Sequence, residues 1–219
     1  MSQVRLIAFT QPIEVEGVQT GEELVAYCAR VSNPANQANH ETAPRLLNYL
    51  VRNQHWSPFE MAHAVIEIKT TRDIARQILR HRSFSFQEFS QRYAEVVADP
   101  VLREARLQDT TNRQNSTESQ DSVLRTWWDD QQAWLAEQAV KVYQDALNQG
   151  IAKEVARAVL PEGLTPSRLY MSGSVRSWIH YIQLRAGNGT QKEHREIAVM
   201  CKLALLHVMP SIKEVLDAS

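Results

Sequence analysis

The hydrophobic period changes within one short segment of the chain, AVIEIKTTRDIARQILRH (residues 64–81). From Ala64 to Thr70 the side chains alternate between two faces, which is the period of a half-buried β-strand. From Arg72 to His81 the apolar residues recur at three- and four-residue intervals, as they do on one face of an α-helix. The segment therefore predicts a strand that leads directly into a helix.

Start signals and helical spacing predict helices on both sides of this segment. Thr20-Gly21-Glu22-Glu23 has the spacing of a capping box and predicts a helix that continues through Cys28. Ser57-Pro58-Phe59-Glu60 combines a Ser cap with proline at the first helical position, which predicts a helix N-terminus able to bind an anion. The longest helix is predicted from Asp121 to Asn148, with apolar residues at Leu124, Trp128, Leu135, Val142 and Ala146. The other predicted helices are Pro44 to Arg52, Lys153 to Leu160, Val175 to Arg185 and Lys192 to Val208.

A few strands among many helices, without regular βαβ alternation, favour an α+β fold. A strand is predicted from Val4 to Phe9, and we expect Val15 to Val18 to pair with it. Since no internal repeat or domain boundary is evident, we expect residues 1–219 to form a single domain. Its small, mostly antiparallel sheet packs with several helices, one of them long. The uniformly polar stretch from Gln108 to Gln120 predicts a surface loop.

The composition indicates how this chain would bind a charged ligand. Its 219 residues carry 24 basic and 25 acidic side chains, a balance that argues against a general nucleic-acid coat or a disordered tail. The basic residues are 18 Arg and 6 Lys, and arginine binds phosphate or carboxylate through two parallel hydrogen bonds. The chain has only 7 Gly and lacks both common glycine-rich phosphate motifs. If the protein binds a nucleotide, side chains must therefore do much of the holding.

The two cysteines and the N-terminus bear on the cellular compartment. Cys28 and Cys201 lack the spacing of a zinc site or a disulfide framework and are expected to be core residues. The N-terminus has no signal-peptide hydrophobic region, and no stretch approaches the roughly 18 apolar residues of a membrane span. We expect a soluble, cytoplasmic protein.

Arginine is concentrated between residues 72 and 92. Arg72, Arg76 and Arg80 are spaced by four, so on one helix they would repel one another unless an anion intervened. After Arg82 the sequence SFSFQEFSQR (residues 83–92) alternates phosphate donors with aromatic rings. This pattern favours a site for an organic phosphate over a solvated basic face. A second hypothesis is a single-stranded nucleic-acid-binding protein that uses the Arg/Phe-rich segment 72–92.

The sequence RHRSFSFQEFS (residues 80–90) resembles the RHR-x7-S signature of the flavin-dependent thymidylate synthases. HWSPFE (residues 55–60) looks like the family's His-x-[ST]-Pro-Phe-Glu element. EVARAVLP (residues 154–161) is similar to a further block, as are Arg176-Ser177 and Leu184-Arg185-Ala186. The ordered matches run from about residue 31 to residue 193, which is most of the chain.

The resemblance implies a methyltransferase that converts dUMP to dTMP, with methylenetetrahydrofolate as carbon donor and FAD reduced by NADPH. Members of the family are homotetramers whose active sites are shared between subunits. The resemblance implies that dUMP is bound by Gln77, Arg80, Glu88, Phe89, Ser90, Gln91, Arg92, Arg157 and Arg185. It implies that FAD is bound by Ser57, Arg80, His81, Arg82, Glu88, Ser174, Arg176 and His180. Three positions depart from the family pattern: Gln87, Ser174 and His180 stand where asparagine is common.

Arg185 is the implied catalytic residue. Trp178, Ile182 and Arg185 share one helical stripe, so the charge is expected to face the same way as the apolar side chains. In the family, the matching arginine favours loss of the N3 proton from uracil, and the activated ring reacts without an enzyme nucleophile. The alternative is a C-terminal helix cap. For Arg157, the alternative is an extended surface side chain or a pair with Glu154.

The remaining nucleophile and histidine candidates are weaker. Ser90 lacks an evident base and orienting partner, so we expect it to bind substrate. His55 and His180 are candidates for flavin contacts. Four histidines lack comparable context and are expected to be structural, namely His40, His63, His194 and His207.

Overall fold

The protein was analysed as a computed structural model that describes residues 2–96 and 99–217. It contains a four-stranded antiparallel sheet in the order β1-β2-β6-β3 and a separate two-stranded hairpin, β4-β5. The strands are β1 Gln3–Phe9, β2 His63–Thr71, β3 Ser85–Glu88, β4 Arg106–Gln108, β5 Ser116–Glu118 and β6 Pro166–Ser174. The helices are α1 Gly21–Ala29, α2 Ala43–Arg52, α3 Arg72–Ile78, α4 Ser122–Asn148, α5 Lys153–Ala156, α6 Val175–Arg185, α7 Lys192–Val208 and α8 Lys213–Asp217. The predicted α+β class, with a small antiparallel sheet and one long helix, is confirmed.

One face of the sheet packs against the helices and forms one side of the hydrophobic core. On β2 and β6 the cross-strand pairs Ile66–Met171 and Ile68–Leu169 are fully buried, and apolar pairs of this kind stabilise antiparallel sheets. Helices α3, α6 and α7 pack against the sheet. Trp178 of α6 is fully buried, and its indole N–H donates to the carbonyl of Ala64. The core thus fixes α6 relative to the central strands.

Two strand-to-helix connections place the functional residues. β2 runs directly into α3, as the period change predicted, and β6 runs directly into α6. The predicted bounds of α6 and α7 are confirmed to the residue. The capping box of α1 is present, because the Thr20 side chain accepts from the Glu23 N–H and the Glu23 carboxylate accepts from the Thr20 N–H.

Several local predictions were wrong. α3 ends at Ile78 and not at His81, so Arg80 lies in a turn and does not continue the Arg72–Arg76 edge. Residues 15–18 form no strand, and β1 pairs with β2 at the edge of the sheet. The Ser57–Glu60 segment is a single 3-10 turn in which Ser57 makes no capping bond.

The apolar positions predicted for α4 were wrong in part, since Leu124, Trp128 and Ala146 are partly buried. Leu135 and Val142 are about half exposed, whereas the buried residues are Gln132, Ala136, Ala139 and Tyr143. Gln132 can be buried because its side chain accepts from the Arg103 N–H and donates to the Arg103 carbonyl. The buried face of α4 thus includes a polar residue, Gln132. A search for apolar spacing alone does not identify that face.

The polar segment 108–120 belongs to a hairpin anchored by charges. Its strand β5 pairs with β4, although the sequence predicted only a loop. Lys192, at the start of α7, donates to both Glu104 and Glu118 at 2.6 Å. Arg106 of β4 pairs with Glu193 of α7 at 2.7 Å. Ion pairs therefore hold the hairpin against the first turn of α7.

Gly173 of β6 leaves room for the ring of Phe84. A Cβ added at Gly173 would overlap that ring, which cannot move freely because it packs edge-on against Trp178 at a centroid distance of 4.8 Å. We expect Gly173→Ala to lower the free energy of unfolding by about 1–3 kcal/mol, the usual cost of overpacking. Denaturant unfolding of Gly163→Ala is the control, since nothing lies within 4 Å of a Cβ there. Equal stability of the two variants would contradict this account.

Candidate active site

The Arg80-His81-Arg82 tripeptide lies in a loop that is held against α6. The loop begins where α3 ends, and the His81 N–H donates to the Ile78 carbonyl. Its far end is fixed by Phe84, packed on Trp178, and by Ser177, whose hydroxyl donates to the Ser83 carbonyl at 3.2 Å. The loop and α6 together bring residues separated by about a hundred positions into one cluster.

Arg185 donates from Nε to Nε2 of His81 at 3.0 Å. Because a guanidinium can only donate, His81 accepts with Nε2 and carries its proton on Nδ1. Burial, together with the charges of Arg185, His180 and Arg80, lowers the pKa of His81 to about 4. His81 is therefore neutral at pH 7. The described hydrogen bond of the Arg185 side chain thus goes to His81 and does not cap the helix end.

The charge of Arg185 is not neutralised within residues 2–96 and 99–217, where no carboxylate pairs with it. Its side chain is partly buried, and its neighbours include two neutral histidines, His81 and His194. A partly buried cation without a counter-ion favours an anion next to it. This position is where a negatively charged ligand atom would be stabilised most.

Gln77 of α3 lies in the same cluster through His194 of α7. The Gln77 Oε1 atom is 3.3 Å from His194 Nδ1, and its Nε2 donates to Gln191 at 2.8 Å. His194 is fully buried, and its other ring nitrogen is 3.2 Å from the hydroxyl of Tyr181. No sequence pattern connects His194 with Gln77. The sequence places His194 only in the first turn of the predicted helix α7.

Arg92 and Arg157, the predicted phosphate-binding pair, meet at Glu154. Arg92 pairs with the Glu154 carboxylate at 3.4 Å, and both side chains are more than half exposed. Arg157 donates to the backbone carbonyl of Glu154 at 3.3 Å, so the predicted alternative of an Arg157–Glu154 ion pair is not observed among the described residues. The structure therefore brings these two arginines together on the surface.

The residues of the signature after Phe86 lie near the edge strand β3. Glu88 accepts from the Ser167 hydroxyl at 2.8 Å and pairs with Arg76 at 3.5 Å. Gln91 is 3% exposed, and its Nε2 has no hydrogen-bond partner among the described residues. Because an unpaired buried amide N–H is costly, this group is a candidate to contact a ligand.

The predicted flavin-binding residues line the start of α6 and the neighbouring turn. Ser174 caps α6 by accepting from the Ser177 N–H, and Arg176 pairs with Glu60 at 2.8 Å. Hydrogen bonding to Ser174, together with Arg176, holds the pKa of Glu60 below its usual range despite partial burial. Ser57 is exposed in the same turn as Glu60.

The donor set suits a phosphorylated cofactor. Arg80 and Arg82 are exposed, and neither has a carboxylate partner in the described part of the chain. His180 is also exposed and lies close enough to His81 to affect its pKa. These free donors fit the phosphates of a dinucleotide such as FAD.

Predicted site residues line more than one cavity in the described part of the chain, since Arg92 lines a cavity with Glu154 that differs from the one beside Phe89. Within the described ranges, a cavity of about 540 Å³ lies beside Lys69, Phe89 and Arg168, and Phe89 is its one predicted site residue. No described helix has both the length and the apolar character of a membrane span. Among the described residues, no cluster of three His, Cys, Asp or Glu side chains suits a metal ion.

Comparisons with known proteins bear on this site. A family model described as Thymidylate synthase complementing protein matches residues 15–211. A probable flavin-dependent thymidylate synthase of Paramecium bursaria Chlorella virus 1 is 54% identical over 213 residues, covering 97% of this chain and 98% of the relative. The flavin-dependent thymidylate synthase of Synechocystis sp. is 49% identical over 216 residues, covering 98% and 99%. Among solved structures, the UMP/dUMP methylase PolB from Streptomyces cacaoi bound with 5-Br dUMP has a TM-score of 0.84 at 27% identity, covering 100% of this chain and 95% of that one.

Proposed function

Because the chain belongs to the flavin-dependent thymidylate synthase family, we propose that it methylates dUMP to dTMP. In this reaction methylenetetrahydrofolate donates the carbon, FAD is the bound cofactor and NADPH is the reductant. The observation that carries the proposal is the partly buried Arg185 guanidinium, which donates to neutral His81 and has no carboxylate partner among the described residues.

Arg185 is the proposed catalytic residue. Loss of the N3 proton to solvent water leaves a negative charge on the uracil ring, and a fixed cation beside N3 stabilises that anion. His81 accepts from Arg185 and so orients the guanidinium without adding charge. The electron-rich ring then reacts without an enzyme nucleophile. Cys201 is unsuited to that role, because it is fully buried and burial raises the pKa of its thiol.

The proposed flavin site lies along α6 and the loop that carries Arg80, His81 and Arg82, here called the arginine loop. When bound, FAD supplies the reducing equivalents that turn the transferred methylene into a methyl group. The exposed guanidiniums of Arg80 and Arg82 bind its phosphates, and the other proposed contacts extend along α6 and the 3-10 turn. Those contacts are Ser57, His81, Glu88, Ser174, Arg176 and His180.

The proposed phosphate site for dUMP is the pair Arg92 and Arg157. A nucleotide phosphate would replace Glu154 as the partner of Arg92, because charge-assisted bonds to a nearly doubly charged phosphate are the stronger ones. Ser90 and the unpaired Nε2 of Gln91 supply further donors. Gln77, Arg80, Glu88 and Phe89 complete the proposed dUMP contacts.

We also propose that the working enzyme is a homotetramer with shared active sites. Phe89 and Arg92 line different cavities, and the Arg92–Arg157 pair has no described contact with the cluster of His81 and Arg185, which supports assembly from several subunits. A single domain spanning residues 1–219 and a cytoplasmic location stay predictions of the sequence.

The nucleic-acid alternative is not favoured. Two of the five arginines in segment 72–92, Arg76 and Arg92, pair with a carboxylate, which leaves less positive charge to track a phosphate backbone.

The proposal is tested by incubating the purified, flavin-loaded protein with dUMP, methylenetetrahydrofolate and NADPH. We expect dTMP only when all three are present. Omitting each in turn provides the controls. Absence of dTMP with reduced flavin demonstrably bound would contradict the proposal.

Ser90→Ala separates substrate binding from nucleophilic attack. The Ser90 carbonyl closes a turn by accepting from the N–H groups of Tyr93 and Ala94, so alanine keeps that backbone. Loss of one hydroxyl contact to phosphate is expected to raise KM for dUMP by about tenfold, with kcat nearly unchanged. Steady-state kinetics measures both. Complete loss of turnover at saturating dUMP would instead indicate a nucleophile.

A further inference from the structure

Five buried or partly buried side chains form a continuous hydrogen-bonded chain from α6 through α7 to α3 and back to α7. Four contacts join them, at 3.2, 3.3, 2.8 and 2.9 Å. In order, the members are Tyr181, His194, Gln77, Gln191 and Glu193. We call this set the Gln77 relay.

Glu193 determines which partner donates in each hydrogen bond of the Gln77 relay. Burial alone would raise the pKa of Glu193, but its own backbone N–H and the positive charges of Arg103 and Arg106 hold that pKa below its usual range. The two arginines lie 3.3 and 2.7 Å from its carboxylate. An ionised carboxylate only accepts hydrogen bonds, so Gln191 must donate to it with Nε2.

The donor and acceptor roles of each member of the Gln77 relay then follow from those of its neighbour. With its Nε2 used on Glu193, Gln191 offers Oε1, and Gln77 must donate to it with Nε2. The Oε1 atom of Gln77 then faces His194, which must carry its proton on Nδ1 and accept the Tyr181 hydroxyl proton at Nε2. Burial, together with Arg185 and His81, lowers the pKa of His194 to about 4, which agrees with a neutral imidazole. One remote charge therefore fixes the amide orientation of Gln77.

The amide of Gln77 has one N–H that the relay does not use. Its Oε1 faces His194 and one Nε2 proton goes to Gln191, and no other Gln77 side-chain partner occurs in residues 2–96 and 99–217. Through His194, which lies close to Arg185, Gln77 is joined to the group that we place beside uracil N3. The C4 substituent next to N3 is a carbonyl acceptor in uracil and an amino donor in cytosine. A fixed Gln77 N–H would attract the C4 carbonyl of uracil and repel the C4 amino group of cytosine.

We propose that Glu193 is a positioning residue that orients Gln77 to donate to the C4 carbonyl of uracil, so that the site selects dUMP over dCMP; this rests on the proposed function. If Glu193 becomes glutamine, its side chain can donate as well as accept, and the whole relay can run in either direction. In the reversed state Gln77 presents Oε1 and no longer discriminates against an amino group. The alternative is that the relay only anchors α7.

The experiment compares the equilibrium affinities of dUMP and dCMP for the flavin-loaded protein. In Glu193→Gln we expect the dUMP-to-dCMP affinity ratio to fall about tenfold, with flavin content and melting temperature unchanged. Glu196→Gln, an exposed change on the same helix, is the matched control and should leave the ratio unchanged. Tyr181→Phe should also keep the ratio, because Glu193 still sets the direction from the other end.

A second variant covers the case in which Glu193→Gln fails to fold. Gln191→Leu breaks the relay without touching the pairs with Arg103 and Arg106, and the same fall in ratio is expected. An unchanged ratio in a folded variant that binds dUMP would overturn the relay while leaving the proposed function intact. A wild-type protein that binds neither nucleotide would contradict the proposed function itself, and the inference with it.

Discussion

Replacing Arg185 with alanine is expected to lower dTMP formation by about 100- to 1000-fold while FAD stays bound, the usual loss when one preorganised charge-stabilising group is removed. In the structure, Arg185 donates to His81 and has no carboxylate partner among the described residues. Removing it leaves nothing with a positive charge at that position to stabilise the ring anion. Because the proposed phosphate contacts Arg80 and Arg82 are unchanged in this variant, the visible flavin spectrum should persist.

The control for this variant is Arg195→Ala, which removes a guanidinium of α7 that donates to Asn188 and has no proposed role. Arg185→Lys keeps the charge but loses the planar fork, so partial activity is expected. Single-turnover formation of dTMP at saturating dUMP measures the chemical step. Activity of the alanine variant within threefold of wild type would exclude Arg185 as the catalytic residue.

Acid is expected to destabilise the protein in the range between about pH 6.5 and pH 4. The folded-state pKa values of His81 and His194 are both about 4, below the roughly 6.5 expected for the unfolded chain. In that range the unfolded state binds more protons, so the free energy of unfolding falls as the pH falls. Fully buried His194 contributes a loss of about 2 kcal/mol between pH 7 and pH 4.5, and partly exposed His81 contributes less.

Denaturant unfolding measured at several pH values checks this expectation. His194→Asn lacks the titrating group, so its free energy of unfolding should depend less steeply on pH in the same range. His207→Asn, at an exposed position of the same helix, should keep the wild-type slope. Identical slopes in the two variants would show that His194 is protonated in the folded protein.

The fold could be predicted where the signals are local. The change of period at Thr71 located β2 and α3, and the bounds of α6 and α7 follow from apolar spacing within each helix. β6 was missed although it is a central strand, because its sequence PSRLYMSGS contains three serines and a glycine. Its stability comes from hydrogen bonds to β2 and β3 on both sides, and no local pattern records those partners.

In the candidate site, the motif residues could be predicted from the sequence, but the contacts between distant residues could not. The motif residues Arg80, His81 and Arg185 could be selected from the sequence, and the structure joins His81 to Arg185. The connection of His194 and Gln191 to Gln77 could not be predicted, because it depends on α7 crossing α3 more than 110 positions away in sequence. A directed hydrogen-bond chain is a property of tertiary packing.

The order of the strands has a consequence for synthesis on the ribosome. β2 can pair with β1 once residue 71 has been made, but its other edge receives β6 at residues 166–174. That edge therefore stays open while the ribosome adds about a hundred further residues, a state in which unpaired strands are prone to aggregate. The arginine loop likewise needs Gly173 and Ser177, which are synthesised after it. A nascent chain that stops before β6 therefore contains every residue of the signature but lacks the contacts that hold the arginine loop in place.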